Sequence, residues 1–147
     1  MSLVVDASVA LKWFLLDEPQ ASRSLAIAQD DALLIAPDPL IAEVCNGAWR
    51  SARLGRLSDA QVDEIATCLP RFFDTLVSTT VLAPRAVTIA GQLEHPVYDC
   101  LYVSLAEAEK AQIVTADMRF LGKVRGTSWE QWVVNLSDYG TRGPLSP

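Results

Sequence analysis

Leu3-Val4-Val5-Asp6-Ala7-Ser8-Val9 decides the fold. A β-branched apolar run closes on an acid and passes at once into small residues and a hydroxyl. Such a run suits a buried strand, expected here over residues 3–6. Ser8 stands where it can cap a helix over residues 9–16. Asp6 therefore sits at a strand-to-helix junction. Near the other end of the chain a second acid, Asp117, follows the run Ile113-Val114-Thr115-Ala116.

Between these two junctions, strand and helix signals alternate. Pro19 opens a helical stretch through residue 28, residues 33–36 read as a second buried strand, and Pro37 and Pro39 precede a helix over residues 40–53 that stops at Gly55. Ser58-Asp59-Ala60-Gln61 starts a further helix, which Pro70 must kink or end near Leu69. The β-branched residues 77–82 read as a strand. Helices are expected over residues 85–93 and 97–111, separated near His95-Pro96, with strands over 112–115 and 133–136. This alternation predicts an α/β fold with a mostly parallel central sheet flanked by helices on both faces, in which sites gather at the carboxyl ends of strands. The 147 residues suit one domain, over residues 1–138, with a loose tail over 139–147.

Three cysteines, Cys45, Cys68 and Cys100, lie in mostly apolar surroundings without zinc-knuckle or disulfide spacing, and read as reduced core residues. No apolar run approaches the length of a membrane span, and the chain opens without a basic leader, so a cytoplasmic protein is expected. The net charge of −6 argues against a basic nucleic-acid footprint. That objection weakens because Asp6, Glu43, Asp99 and Asp117 supply −4 of it. Basic residues are grouped as Arg50, Arg53 and Arg56 and as Arg119, Lys123 and Arg125, and either group could meet phosphates.

Those four acids occupy four separate segments, and none lies in a charge run. Ionised side chains are rarely buried unless paired or bound to metal, and a converging set would have too few cations near it. Two carboxylates about 4 Å apart repel by roughly 4 kcal/mol at an effective dielectric of about 20. Four together call for protons or a metal ion, and oxygen-only ligands favour Mg2+ or Mn2+ ahead of zinc. Each residue also has a structural alternative. Asp6 and Asp117 fit helix caps, Asp99 fits the first turn of a helix where the dipole favours an anion, and Glu43 lies off the apolar stripe of its helix. Ser8 and Thr115 fit caps or backbone bonds as well as supports around the acids. Glu43, Gly47 and Arg50 share an i, i+4, i+7 line, on which Gly47 would admit an RNA backbone and Arg50 would meet a phosphate.

Val4-Val5-Asp6-Ala7-Ser8, the helical Glu43, Tyr98-Asp99-Cys100-Leu101-Tyr102 and Thr115-Ala116-Asp117-Met118-Arg119-Phe120 resemble the successive acidic motifs of PIN-domain ribonucleases, most closely the VapC toxins of type II toxin-antitoxin systems. The resemblance runs from Leu3 to Leu136. It implies a Mg2+- or Mn2+-dependent endoribonuclease that leaves 5′-phosphate and 3′-hydroxyl ends. Asp6, Asp99 and Asp117 would hold the ion and Glu43 would complete the site. Ser8 and Thr115 would support these acids. The resemblance further implies a homodimer and a VapB-like antitoxin that presses a basic side chain toward the acids. Apart from the resemblance, Arg50 and Arg119 are the arginines expected to contact RNA. Cys100 stands where the family often has alanine.

His95 is the only histidine, so a two-histidine ribonuclease mechanism is impossible within one chain; beside Pro96 it reads as a turn or surface residue. Trp13, Trp49, Trp129 and Trp132 read as core or subunit contacts rather than base-stacking groups. A haloacid-dehalogenase-like phosphatase would need a second acid where Ser8 stands, and a receiver domain would need a mid-chain aspartate with a late lysine. The remaining alternative is a catalytically silent interaction module whose acidic pocket binds a partner's basic residue.

Overall fold

The apolar runs become strands because a sheet covered on both faces has room only for side chains of that kind. In the computed structural model, which describes residues 1–140, β1 (Ser2–Val5), β2 (Leu33–Pro37), β3 (Thr75–Val77), β4 (Gln112–Thr115) and β5 (Val133–Asn135) pair in the order β3-β2-β1-β4-β5. Every pairing is parallel, with Val4 opposite both Ile35 and Ile113. Val4, Val5, Ile113 and Val114 are fully buried at the centre. The chain steps from β1 to β2 to β3 in one direction and returns to β4 on the other side of β1. The β1/β4 boundary is therefore the switch point, where the carboxyl ends of two strands open a crevice.

The described residues form seven α-helices: α1 (Ala7–Ala10), α2 (Ala21–Ala28), α3 (Leu40–Arg53), α4 (Asp59–Cys68), α5 (Thr79–Leu93), α6 (Val97–Glu109) and α7 (Met118–Val124). Right-handed crossovers set α1 to α4 on one face of the sheet and α5 to α7 on the other. α6 runs beneath β1, β2 and β4 and packs along α5, which explains why Cys100 through Ala106 are all buried. Ser58 and Gln61 close a reciprocal capping box at the start of α4, and a 3-10 turn over Leu69–Phe72 carries Pro70 out of that helix.

Two expectations are overturned. Residues 77–82 do not form a strand: β3 stops at Val77, Ser78 caps α5 through the Thr80 amide, and Leu82, Ala86, Ile89 and Leu93 bury one helical stripe. Burial of that stripe against α6 outweighs the strand preference of Thr79, Thr80 and Val81. The expected helix over 9–16 is instead the short α1 followed by a 3-10 turn over Leu11–Trp13. Trp13 ends it by docking against Phe72 and Phe73 at 5.1 and 5.7 Å between centroids, while its Nε1 donates to the Ser24 carbonyl. Trp13 and Trp129 are thus core residues, whereas Trp49 is exposed beneath the Arg53 guanidinium.

All three cysteines are free, and only Cys100 is fully buried. Tyr139, placed in the tail by sequence, packs against the core, and its carbonyl accepts from Arg23 Nη1 at 2.8 Å. The rest of the expected tail, residues 141–147, lies outside the described residues. Among the described residues no helix is long and apolar enough to cross a membrane.

Candidate active site

The crevice at the switch point is acidic. Asp6 follows β1 directly, tied to β4 by its amide on the Val114 carbonyl at 3.1 Å, and is 5% exposed. One oxygen, Oδ2, accepts from Ser8 Oγ at 2.6 Å and from Thr115 Oγ1 at 2.8 Å. Ser8 Oγ in turn receives the Ala116 amide, and Thr115 Oγ1 receives the Asp117 amide, both at 3.0 Å. Ser8 is therefore no helix cap. The two hydroxyls lace the β1 and β4 ends together around one carboxylate.

Asp117 caps α7, its Oδ1 accepting from the Arg119 and Phe120 amides at 2.9 and 3.2 Å. The structural alternative for this residue is thus real, yet it occupies one oxygen only; Oδ2 has no hydrogen-bond partner among the described residues. Asp99 stands in the first turn of α6, and Glu43 in the first turn of α3 accepts from the buried Tyr102 hydroxyl at 3.2 Å. Tyr102 lies three residues beyond Asp99, so α6 supplies an acid and a donor to the same crevice.

These carboxylates feel one another. Burial, followed by the charges of Asp99 and Asp117, pushes the Asp6 carboxyl up to about 6 against the two hydroxyl donors. Burial, then Asp6, then Asp99 push Glu43 up to about 7, while the Tyr102 hydroxyl opposes the rise. Neither acid, nor Asp117, pairs with a lysine or arginine among the described residues. Asp99 meets His95, a contact at the site that sequence reasoning missed. His95 does lie in the α5–α6 turn, but its side chain is only 9% exposed and Nε2 bonds Asp99 Oδ2. The i, i+4 spacing of His95 and Asp99 was the available signal.

The donor chemistry fits a hard divalent cation: carboxylates in excess, with no fixed counter-charge. Yet among the described residues no three His, Cys, Asp or Glu side chains are gathered closely enough to hold an ion as they stand. Repulsion accounts for the spread, since each acid has settled on a neutral donor or on His95. A loose set still suits Mg2+, which takes one or two carboxylates directly and keeps several of its waters.

Beside the acids runs a groove of about 460 Å³, lined by Ser8, Leu11, Glu43, Gly47, Arg50 and Leu54 among others. The expected Glu43, Gly47, Arg50 line therefore faces one surface. Gly47 lines this groove and also has a packing role, because a Cβ there would stand 2.6 Å from Leu11 Cδ2. Of the basic groups, Arg56 is held by Asp17 and Glu18 and Arg53 lies over Trp49, leaving Arg50 without an acidic partner among the described residues. Arg119 is exposed, and its side chain does not line the groove.

The PIN domain family matches residues 3–125. Ribonuclease VapC3 of Pyrobaculum aerophilum is 32% identical over 127 residues, 84% of this chain and 95% of that protein. VapC ribonuclease Mb0985 of Mycobacterium bovis is 34% identical over 117 residues, 80% of this chain and 87% of its own. Among solved structures, PAE2754 from Pyrobaculum aerophilum aligns with a TM-score of 0.65 at 21% identity, covering 93% of this chain and 85% of its own. A chain of a toxin-antitoxin complex from Klebsiella pneumoniae aligns at 0.66 and 15% identity, covering 92% and 98%, a likeness of fold. The acids at the switch point thus lie within a span shared almost end to end with named ribonucleases, and the chain belongs to the PIN domain family, in its VapC ribonuclease group.

Proposed function

We propose that this protein is a cytoplasmic endoribonuclease toxin that hydrolyses RNA phosphodiester bonds at Asp6, Glu43, Asp99 and Asp117 with Mg2+, or Mn2+ in its place. The observation that carries the reading is a set of acids without lysine or arginine partners among the described residues around the β1/β4 switch point, two of them with raised proton affinity. The VapC ribonuclease relatives supply the reaction class.

When bound, a divalent ion supplies Lewis acidity that activates a water and offsets charge on the phosphate. Asp6, Asp99 and Asp117 would hold it. Ser8 and Thr115 fix which Asp6 oxygen is committed to the scaffold, and the α7 cap does the same for Asp117, so each presents its other oxygen to the crevice. Glu43, pushed up to about 7, is partly protonated near neutrality in the ion-free site and would lose that proton if positive charge entered. Arg50, which lines the groove, and Arg119, which lies beyond it, would meet RNA phosphates. The lone histidine is engaged with Asp99, in keeping with water rather than the ribose 2′-hydroxyl as nucleophile and with 5′-phosphate and 3′-hydroxyl products.

A VapB-like antitoxin would silence the site by covering the groove and offering a basic side chain to the acids, and the toxin itself would be a homodimer. Cleavage of total bacterial RNA by antitoxin-free protein, with Mg2+ or Mn2+ beside EDTA and Asp99→Asn, tests the activity. Discrete metal-dependent fragments are expected. Asp99→Asn should reduce them by at least about 100-fold, because losing a mere neighbour of a metal ligand already costs about 10- to 100-fold. Intact RNA under every condition would overturn the nuclease reading in favour of a silent interaction module.

A further inference from the structure

We propose that His95 is a positioning residue for Asp99, and that it ties α6, which bears Asp99, to α7, which Asp117 caps. The inference rests on the metal-site reading above and extends it to a residue outside the acidic set.

The turn that carries His95 is held on both sides. Glu94 adopts the left-handed conformation with φ 52° at the end of α5, the His95 amide donates to the Ala90 carbonyl at 3.2 Å, and Cys100 Sγ lies 3.9 Å from the His95 carbonyl. Pro96, with ψ 145°, then starts α6. The backbone therefore delivers the imidazole to Asp99 one helical turn later. Its ring stacks on Phe120, with centroids 6.0 Å apart and planes 24° apart, and Phe120 is 1% exposed. The Phe120 amide is in turn one of the two that hold Asp117 Oδ1. A continuous chain of contacts thus runs from Asp99 through His95 and Phe120 to Asp117.

The chemistry of the contact fixes a proton. An unprotonated Nε2 facing a carboxylate oxygen would set two lone pairs against each other, so Nε2 carries the hydrogen whether the ring is neutral or charged. Asp99 Oδ2 is held by this bond and Oδ1 remains for the crevice. Without it, the negative charges of Asp6 and Glu43 would turn Asp99 toward solvent, a side-chain rotation that no other hydrogen bond or ion pair of Asp99 opposes among the described residues. Hydrogen-bond partners of metal-binding carboxylates characteristically have this orienting role.

Titration of the folded protein with Mn2+, following the free-ion signal by electron paramagnetic resonance, separates the possibilities without any turnover. Four proteins are compared: wild type, His95→Ala, His95→Gln, which keeps an N–H donor of similar reach, and His95→Phe, which keeps a ring on Phe120 but has no donor. His95→Ala and His95→Phe are expected to weaken Mn2+ binding by about 10- to 100-fold, and His95→Gln to recover most of the loss. Should His95→Ala fail to fold, the Phe and Gln pair carries the same comparison. Wild-type affinity in the Phe variant, or a Gln variant as weak as Phe, overturns the positioning role. Tighter binding on removing the imidazole overturns it too, by making His95 a competitor for the cation's place. A wild-type protein that takes up no Mn2+ overturns the metal reading beneath it.

Discussion

The two ends of α6 treat carboxylates in opposite ways. At its carboxyl end Glu107 receives Arg85 through Nε and Nη2 at 2.9 and 3.1 Å and Trp129 Nε1 at 2.6 Å, and the arginine holds its carboxyl below the usual range. At its amino end Asp99 shares a crevice with Asp6 and Glu43, where no lysine or arginine pairs with them among the described residues and burial drives Asp6 and Glu43 upward. The fold can neutralise an acid with an arginine and does so where the acid ties α5, α6 and the segment before β5 together. At the switch point it leaves the charge uncompensated. That unspent repulsion is a standing cost of the folded state, and sites reserved for a cation or substrate are where such local inconsistency is expected.

The largest consequence is a pH-dependent stability of the ion-free protein. The folded Asp6 carboxyl titrates near 6 against an ordinary 3.8, so between those values the folded state binds the proton more tightly than the unfolded chain. Stability therefore falls as pH rises through this window, by about 3 kcal/mol in total for Asp6 and by about 1 kcal/mol between pH 5 and 7. Glu43, near 7, carries the decline further upward. Urea unfolding in EDTA is expected to show a lower midpoint at pH 7 than at pH 5, a slope that Asp6→Asn flattens. Equal slopes in wild type and variant would remove the uncompensated charge from the comparison.

A smaller effect of opposite kind is expected at the other end. Glu107→Gln keeps an acceptor for Trp129 but loses the charge facing Arg85, whose side chain is 49% exposed, so the pair is discounted for solvent. The expected cost is about 1 kcal/mol, or roughly 2–4 °C in Tm for a domain of this size, with RNA cleavage unchanged. Loss of cleavage in a variant that stays folded would mean that the two ends of α6 are coupled rather than contrasting.

The contrast was partly legible in the sequence. Asp6 and Asp117 announced themselves because each follows an apolar run directly, and a parallel sheet brings such ends together. Asp99 and Glu43 were placed on helices, where direction depends on packing that no local pattern gives. The acids were readable, but their partners were not: the His95 contact needs the left-handed Glu94 and the stacked Phe120, and Gly47 takes its meaning from Leu11, which arrives from another element. The same limit explains the misread residues 77–82, whose β-branched start is local while the buried stripe that makes α5 depends on α6. Propensity is visible in a window of sequence, whereas the tertiary contact that overrides it is not.

The smallest effect divides the arginines as α6 divides the acids. Arg56 is occupied by Asp17 and Glu18 at 2.9 Å each, whereas Arg50 lines the groove beside Glu43 with no acid to hold it among the described residues. Glu43 does not capture it because seven residues along a helix set the two about 10 Å apart. An arginine left free next to uncompensated acids is suited to a ligand that is itself anionic and brings a cation with it. RNA affinity measured by fluorescence anisotropy in an Asp99→Asn background, across a salt series, isolates that contact. Arg50→Ala should make the slope of log affinity against log salt shallower by about 0.7, the release of one counterion from a single strand. Arg56→Ala should leave the slope near wild type, since its charge is already spent on Asp17 and Glu18. If both variants shift the slope alike, the groove has no privileged phosphate contact, and the pairing of free acids with a free arginine is coincidence of surface charge.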